Sequence, residues 1–220
     1  MQDAQITDSR YSWFRLCLTL GAGIIANVGM WAIIVIMPAV EAEFGAGRAE
    51  ASMPYTLTMI GFGLGNFMLG RAVDRFGVTR SLIAAALGIA AGFSLATLST
   101  SIAMLSTAQL LVGFASAIGF GPLIADISHW FVRRRGIAVA LVASGNYLSG
   151  AFWPMVLAGM LQDSGWRSVY LFMAAVTVVG VIPLALALKR QVPDHVHATA
   201  EAASSLNAQS SGLSPLSLIH

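Results

Sequence analysis

At 220 residues, 57% hydrophobic and 10% charged, the chain is too apolar for a water-soluble domain, in which apolar residues make up about 45–50%; it reads as a membrane protein. The formal charge is only +2, and the basic residues fall in short clusters between apolar runs. That pattern argues against a nucleic-acid surface and makes them topology signals. The one cysteine, Cys17, excludes an intrachain disulfide and sits in the first apolar run as a small packing residue.

Uncharged runs place the spans. A charge at the bilayer centre costs about 2.5–3.5 kcal/mol on insertion scales, and about 20 apolar residues cross the hydrocarbon core as a helix. The first run covers 16–40, between Arg15 and Glu41, and the second covers 51–70, between Glu50 and Arg71. Residues 81–125 hold no charge, which is too long for one crossing; Ser99-Thr100-Ser101 offers a polar turn in the middle, so this run supplies the third and fourth spans. Runs over 136–162 and 168–188 supply the fifth and sixth. The expected fold is an all-α membrane protein with six transmembrane helices.

The first run exceeds the roughly 7–15 residues of a signal-peptide core and no small-residue cleavage site follows it, so the amino terminus is expected to stay attached. Six spans put both termini on one side. That side holds Arg10, Arg15, Arg71, Arg75, Arg80, Arg133, Arg134, Arg135, Lys189 and Arg190, against Arg48 and Arg167 on the other. The positive-inside bias makes it cytoplasmic, with Glu41, Glu43, Glu50 and Asp163 outside and the plasma (inner) membrane as the expected location. The division is a cytoplasmic amino-terminal tail over 1–12, a six-helix bundle over 13–190, and a Ser- and Ala-rich, linker-like cytoplasmic tail over 191–220. His195, His197 and His220 in that tail are expected to be solvated; no ligand-like cysteine accompanies them, and no metal site is expected.

Helices in lipid approach closely where small residues recur every four positions. Gly61 and Gly65 mark the second span, Ala84, Gly88 and Gly92 the third, and Gly113, Ala117 and Gly121 the fourth. An internal echo is more specific. Gly70-x-x-x-Asp74-x-x-Gly77-x-x-Arg80 after the second span recurs as Gly159-x-x-x-Asp163-x-Gly165-x-Arg167 after the fifth. One copy lies inside and the other outside, as two inverted three-helix units require. A second echo, Gly65-Asn66-Phe67 against Gly145-Asn146-Tyr147, lies in a different register.

Polar groups inside the spans are uncharged: Asn27 and Trp31 in the first, Tyr55 and Asn66 in the second, Gln109 in the fourth, and Asn146, Tyr147 and Trp153 in the fifth. Such groups need partners in hydrocarbon, so they face the bundle interior or a wet cavity; they are the candidates for a substrate pathway, and equally for helix-to-helix hydrogen bonds. At the cytoplasmic border Asp126 stands seven positions before Arg133 and is expected to pair with the cluster from Arg133 to Arg135. His129 nearby is expected to make an interfacial hydrogen bond. An intramembrane protease is disfavoured, because Val142-Ala143-Ser144-Gly145 lacks the first glycine of a Gly-x-Ser-Gly nucleophile motif and the sixth span holds no histidine base.

The stretch Gly70-Arg71-Ala72-Val73-Asp74-Arg75-Phe76-Gly77-Val78-Thr79-Arg80 resembles the loop between the second and third helices of the major facilitator superfamily, with Gly70, Asp74, Arg75, Gly77 and Arg80 at motif positions and Val78 in place of a commonly basic residue. The block from Trp130-Phe131-Val132-Arg133-Arg134-Arg135-Gly136 to Ser144-Gly145 is similar to the fifth-helix signature of the monocarboxylate-transporter-like branch. Pro154 and Asp163-Ser164-Gly165-Trp166-Arg167 look like the same branch, whose first-helix signature is represented here only by Asp8-Ser9-Arg10-Tyr11-Ser12-Trp13. The resemblance implies a secondary transporter of small organic anions working by alternating access. It implies no enzyme activity and no cofactor, with a proton as the candidate coupling ion. It further implies that Asp74 latches the cytoplasmic side with Arg75, Arg80 and Arg134 around it and a helix amino terminus opposite. Gln109 stands where many members carry an arginine, and the first span lacks the lysine of proton-linked lactate carriers. Members have twelve helices in two halves, so the chain corresponds to the amino-terminal half, with a second six-helix half or a homodimer partner expected. The alternative is a non-transporting or self-associating membrane half.

Overall fold

The computed structural model describes residues 7–189. Expectations for residues 1–6, for Arg190 and for the tail over 191–220 with its three histidines lie outside the described residues. Among the described residues the chain is all helix, with no strand.

Helix α1 (Arg10–Ala26) begins at Ser9, whose hydroxyl accepts from the Ser12 amide at 3.2 Å, and continues through Asn27 into α2 (Val28–Phe44). Asn27 stays right-handed (φ −76°, ψ −2°), while its side-chain amide donates to the carbonyls of Gly23 and Gly119. The break is a side chain inserted into the helix ladder, not a reversal. After the single turn α3 (Arg48–Ala51), α4 (Met53–Phe76) and α5 (Val78–Thr97) are joined through Gly77 alone. Helix α6 (Ile102–Ser116) passes through a 3-10 turn at Ala117–Gly119 into α7 (Gly121–Ser128), and α8 covers Arg135–Ala187.

Among the described residues, four stretches are long and apolar enough to cross a membrane: Arg10–Phe44, Val78–Thr97, Ile102–Ser128 and Arg135–Ala187. Helix α4 is long enough, at about 36 Å, but Tyr55, Thr56, Thr58 and Asn66 make it less apolar. At 53 residues α8 is about 80 Å long if straight, far beyond one bilayer. It is not straight, because Gly165 leaves the helical region with φ 75° and ψ 167°. The two limbs flank the same helix in opposite directions. On the first, Gly145 lies against Leu20 and the Trp153 indole donates to the Ile24 carbonyl; on the second, Gly180 lies against Ile25, and Leu188 lies at Arg15. The chain therefore folds back at Gly165.

Close helix contacts follow the small residues. A Cβ added at Gly61 or Gly65 would overlap the backbone of Leu110 or Phe114, and one at Gly113 would overlap the Thr58 carbonyl, so α4 and α6 touch backbone to backbone. A Cβ at Gly92 would meet the Val112 side chain at 2.6 Å, and one at Gly88 would lie 3.1 Å from the Ala115 methyl. Ala84 differs from expectation: it is exposed, and its neighbours Ala85 and Ala86 face inward. The core between α2, α5, α6 and the second limb of α8 is filled by Ile33, Ile36, Ile89, Phe93, Leu105 and Tyr170, all fully buried.

Candidate functional site

The arginine-rich end is built on a buried ion pair. Arg15, on the inner face of α1 and only 1% exposed, donates to the Asp126 carboxylate at 2.8 Å and to the Leu188 carbonyl at 3.0 Å. Its guanidinium lies 4.4 Å from the centre of the Trp130 ring. One side chain thus joins α1, the last turn of α7 and the end of α8. The expected partners of Asp126, the residues from Arg133 to Arg135, instead point outward and are exposed; Arg135 reaches Ser128 Oγ. The reason is steric, since α7 packs directly on α1 and its last turn faces Arg15 across that seam.

A second device fixes the turn before α8. Asp8, in the left-handed region at φ 55°, accepts hydrogen bonds from three successive amides, those of Val132, Arg133 and Arg134. Its own amide donates to the Trp130 carbonyl. A carboxylate on a row of free amides at a helix start is favourable by charge and by hydrogen bonding together. Tyr11 packs on Trp130 and Trp13 on Phe131, with ring centres 5.5 and 5.2 Å apart, so the residues before and within the start of α1 are bound to this turn.

The loop motif is differently disposed. Gly77 takes φ 81° and ψ 158°, a conformation that essentially only glycine adopts. Replacing it with alanine is expected to cost about 1–3 kcal/mol, measured as a lowered unfolding midpoint in detergent. Asp74, Arg75 and Arg80 are exposed and make no ion pair with one another. Arg75 lies over Phe76 and Arg71 over Phe67. A Cβ at Gly70 would meet nothing within 4 Å, so nothing in this chain requires a glycine there.

At the opposite end Arg167 makes a clamp. Its guanidinium pairs with Glu43 at 2.6 Å and donates to the carbonyls of Thr97 and Ser99, while the Trp166 indole donates to Glu43 at 2.6 Å. The ends of α2 and α5, the turn after α5 and the start of the second limb of α8 meet there. Glu43 and Arg167 are 38% and 41% exposed, so their charge attraction alone contributes at most about 1 kcal/mol. Arg167→Ala is therefore expected to destabilise more than Glu43→Gln, because it also strips hydrogen bonds from two carbonyls; paired melting curves check the order.

The expected pathway residues do not share one environment. Asn27, Asn66 and Trp153 are tied to backbone: Asn27 to Gly23 and Gly119, Asn66 to Phe62 and to the Gly121 amide at the start of α7, and Trp153 to Ile24. Gln109 is fully buried and donates to the Tyr170 hydroxyl, leaving its own carbonyl oxygen without a partner. Trp31 Nε1, Asn146 Oδ1 and, although its amide group is bonded, Asn27 Oδ1 are also buried without partners, and the Trp31 ring lies on Gly150, one turn from Asn146. Tyr55 is half-buried, and Tyr147, 74% exposed, faces away from the bundle.

A family model described as Major Facilitator Superfamily matches residues 19–219. The chain belongs to the Major Facilitator Superfamily. Relatives include the uncharacterized MFS-type transporter YcxA of Bacillus subtilis (strain 168), 26% identical over 87% of this chain and 47% of its own length. The 4-hydroxybenzoate transporter PcaK of Pseudomonas putida is 29% identical over 82% of this chain and 39% of its own length. Monocarboxylate transporter 6 of Mus musculus is 26% identical over 77% and 36%. The resemblance to the monocarboxylate-transporter branch is thus borne out, and the chain spans half or less of the length of these relatives.

For this superfamily member, sequence reasoning passed over Asp8, Arg15 and Tyr170 as site residues. Arg15 carried a signal, being the charge that bounds the first apolar run, but it was read as a boundary marker. Tyr170 was legible only as a polar-tipped residue inside an otherwise apolar run. Asp8 stands at the head of the stretch that represents the first-helix signature, but its partners, backbone amides more than 120 residues away, are not encoded locally.

Proposed function

We propose that the chain is one six-helix half of a secondary transporter for small organic anions, working by alternating access against a second six-helix half. Six spans follow if α1 with α2, α4, α5, α6 with α7, and the two limbs of α8 each cross once. The inverted-repeat reading is supported by the two echoing loops, since Gly77 (φ 81°, ψ 158°) and Gly165 (φ 75°, ψ 167°) hold nearly the same rare conformation at matching places. The basic end is cytoplasmic by the positive-inside bias. The anion class rests on the relatives named for 4-hydroxybenzoate and for monocarboxylates.

The observation that carries the reading is the pair of unpartnered buried groups, Trp31 Nε1 and Asn146 Oδ1, beside Gly150. Buried polar atoms without partners are costly, and a substrate or its water shell would satisfy them. The described spans carry no cation at mid-depth, so the counter-charge for an anion comes from the second half. Asp74, exposed and unpaired, is the latch that faces a helix start of that half. A proton is the candidate coupling ion, and the gradient dependence of uptake tests it.

The test is uptake of labelled 4-hydroxybenzoate and of a small monocarboxylate by vesicles holding the chain together with its second half. Saturable uptake is expected, stimulated by an inward proton gradient and competed by carboxylates but not by the matching amides. Equal competition by the amides would sink the anion reading. Asp74→Asn should shift the balance between inward- and outward-open states; unchanged cysteine accessibility would remove the latch role.

A further inference from the structure

Among the described residues that carry unpartnered buried polar atoms, Trp31 and Asn146 alone are partly exposed. Asn27, Gln109, Ser116 and Ser149 are fully buried, closed to any ligand. At Trp31 and Asn146 the residue is open on one side while Nε1 and Oδ1 are covered. The two stand on α2 and on the first limb of α8, which meet at Gly150. The ring carbon that bears the indole nitrogen, Cε2 of Trp31, lies 2.7 Å from where a Gly150 Cβ would stand. Asn146 is one turn earlier on that face of α8, about 5–6 Å away. No hydrogen bond joins the two side chains, so an N–H and a C=O border a space for one small group.

The chemistry of that group follows from the two atoms. An indole N–H only donates, and an amide oxygen only accepts. A carboxylate or ketone oxygen would satisfy Trp31 and leave Asn146 Oδ1 facing another lone pair. An ammonium would do the reverse. A hydroxyl satisfies both, accepting from Trp31 and donating to Asn146. Charge then fixes the other end of the ligand. The described spans carry no cation at mid-depth, so a carboxylate lies toward the second half and the neutral end lies here.

We propose that Trp31 and Asn146 read a hydroxyl group, and that the anions carried are hydroxy carboxylates whose hydroxyl is remote from the carboxylate. The inference rests on the transporter reading above and narrows its substrate class. Gly150 is the positioning residue. A Cβ there would lie 2.6–2.9 Å from three atoms of the Trp31 ring, which would have to turn its N–H away from Asn146.

Competition against labelled uptake, in vesicles holding the chain with its second half, tests this on the unaltered protein. 4-Hydroxybenzoate should inhibit at concentrations about tenfold lower than 4-methoxybenzoate, which accepts but cannot donate, with benzoate weaker still. 4-Hydroxybutyrate should likewise surpass butyrate, whereas 2-hydroxybutyrate, with its hydroxyl beside the carboxylate, should not. Asn146→Leu should erase the difference between the hydroxy and methoxy compounds. Trp31→Phe, which keeps a ring on Gly150, should erase the difference between methoxybenzoate and benzoate. Both variants should leave inhibition by benzoate unchanged. Equal inhibition by the three benzoates in the parent protein would mean that a water fills the space, and would overturn the hydroxyl reading. An equal loss of all three in Asn146→Leu would overturn it too. If Asn146→Leu fails to assemble, the parent series and Trp31→Phe decide.

Saturation-transfer NMR of this chain alone in nanodiscs reads the site without transport. Signal transfer to 4-hydroxybenzoate is expected, reduced for benzoate and lost in Asn146→Leu. Hydroxyl-selective binding with no carboxylate uptake overturns the transport reading alone. Saturable uptake with no hydroxyl preference overturns this inference alone.

Discussion

Arg15→Met should lower the stability of the fold by about 3–5 kcal/mol, the usual cost of removing one member of a buried ion pair and leaving the other uncompensated. Arg15 is 1% exposed, so water cannot replace its contact, and Asp126 at 17% exposed is only partly reached by water. The arginine also holds the Leu188 carbonyl, one of the unpaired carbonyls at the end of α8. Its loss should therefore fray that helix end as well as strand the carboxylate. Asp126→Asn keeps a hydrogen-bond acceptor beside Arg15 and should cost less. The double change Arg15→Met with Asp126→Leu should recover most of the loss, because apolar replacement of both partners is often neutral or better. Unfolding midpoints in detergent of the parent, Arg15→Met, Asp126→Leu and the double variant give the coupling directly. Hydrogen exchange should rise at residues 184–188 in Arg15→Met and not in Asp126→Asn. If Arg15→Met melts with the parent protein, the pair contributes nothing and the seam between α1 and α7 is held by packing alone.

Much of this architecture was legible because membrane helices announce themselves by long uncharged runs and close helix contacts by glycine spacing. Gly61, Gly65 and Gly113 were readable as contact residues, since only small side chains permit helices to touch in lipid. The break at Asn27 was not readable: it depends on a hydrogen bond to Gly119, which no local pattern encodes. The fold-back at Gly165 was readable from the charged turn around it.

The site was harder to read, for a physical reason. A charge near the membrane border serves topology and pairing equally well, so sequence position cannot say which partner it takes. Asp126 lies seven positions before Arg133, and that proximity suggested the pairing. The structure gives it to Arg15, 111 positions away, because helix packing and not chain distance decides which charges share a seam. Asn66 and Trp153 show the same limit from the other side: they looked like pathway groups and are bonded to backbone. Asn27, Trp31, Gln109 and Asn146 retain unpartnered atoms.

The contact between α4 and α6 should be the least tolerant of change. At Gly113 the obstacle to a side chain is the Thr58 carbonyl and the backbone around it, which cannot rotate away as a side chain can. Gly113→Val must push the two helices apart, and the separation also loosens the reciprocal contacts of Gly61 and Gly65 with Leu110 and Phe114. A cost of about 3 kcal/mol, at the upper end of ordinary overpacking, is the expected result, read as a lowered midpoint in a denaturing-detergent titration. Gly159→Ala is the matched control, because a Cβ there meets nothing within 4 Å; it should be neutral or slightly stabilising, since alanine favours helix over glycine by about 1 kcal/mol. The same obstacle predicts a particular rescue. Thinning the opposite surface cannot help when the clash is with backbone, so Thr58→Ala should leave the Gly113→Val defect unrelieved. Recovery by Thr58→Ala would mean that side chains, not backbones, set the distance between these helices.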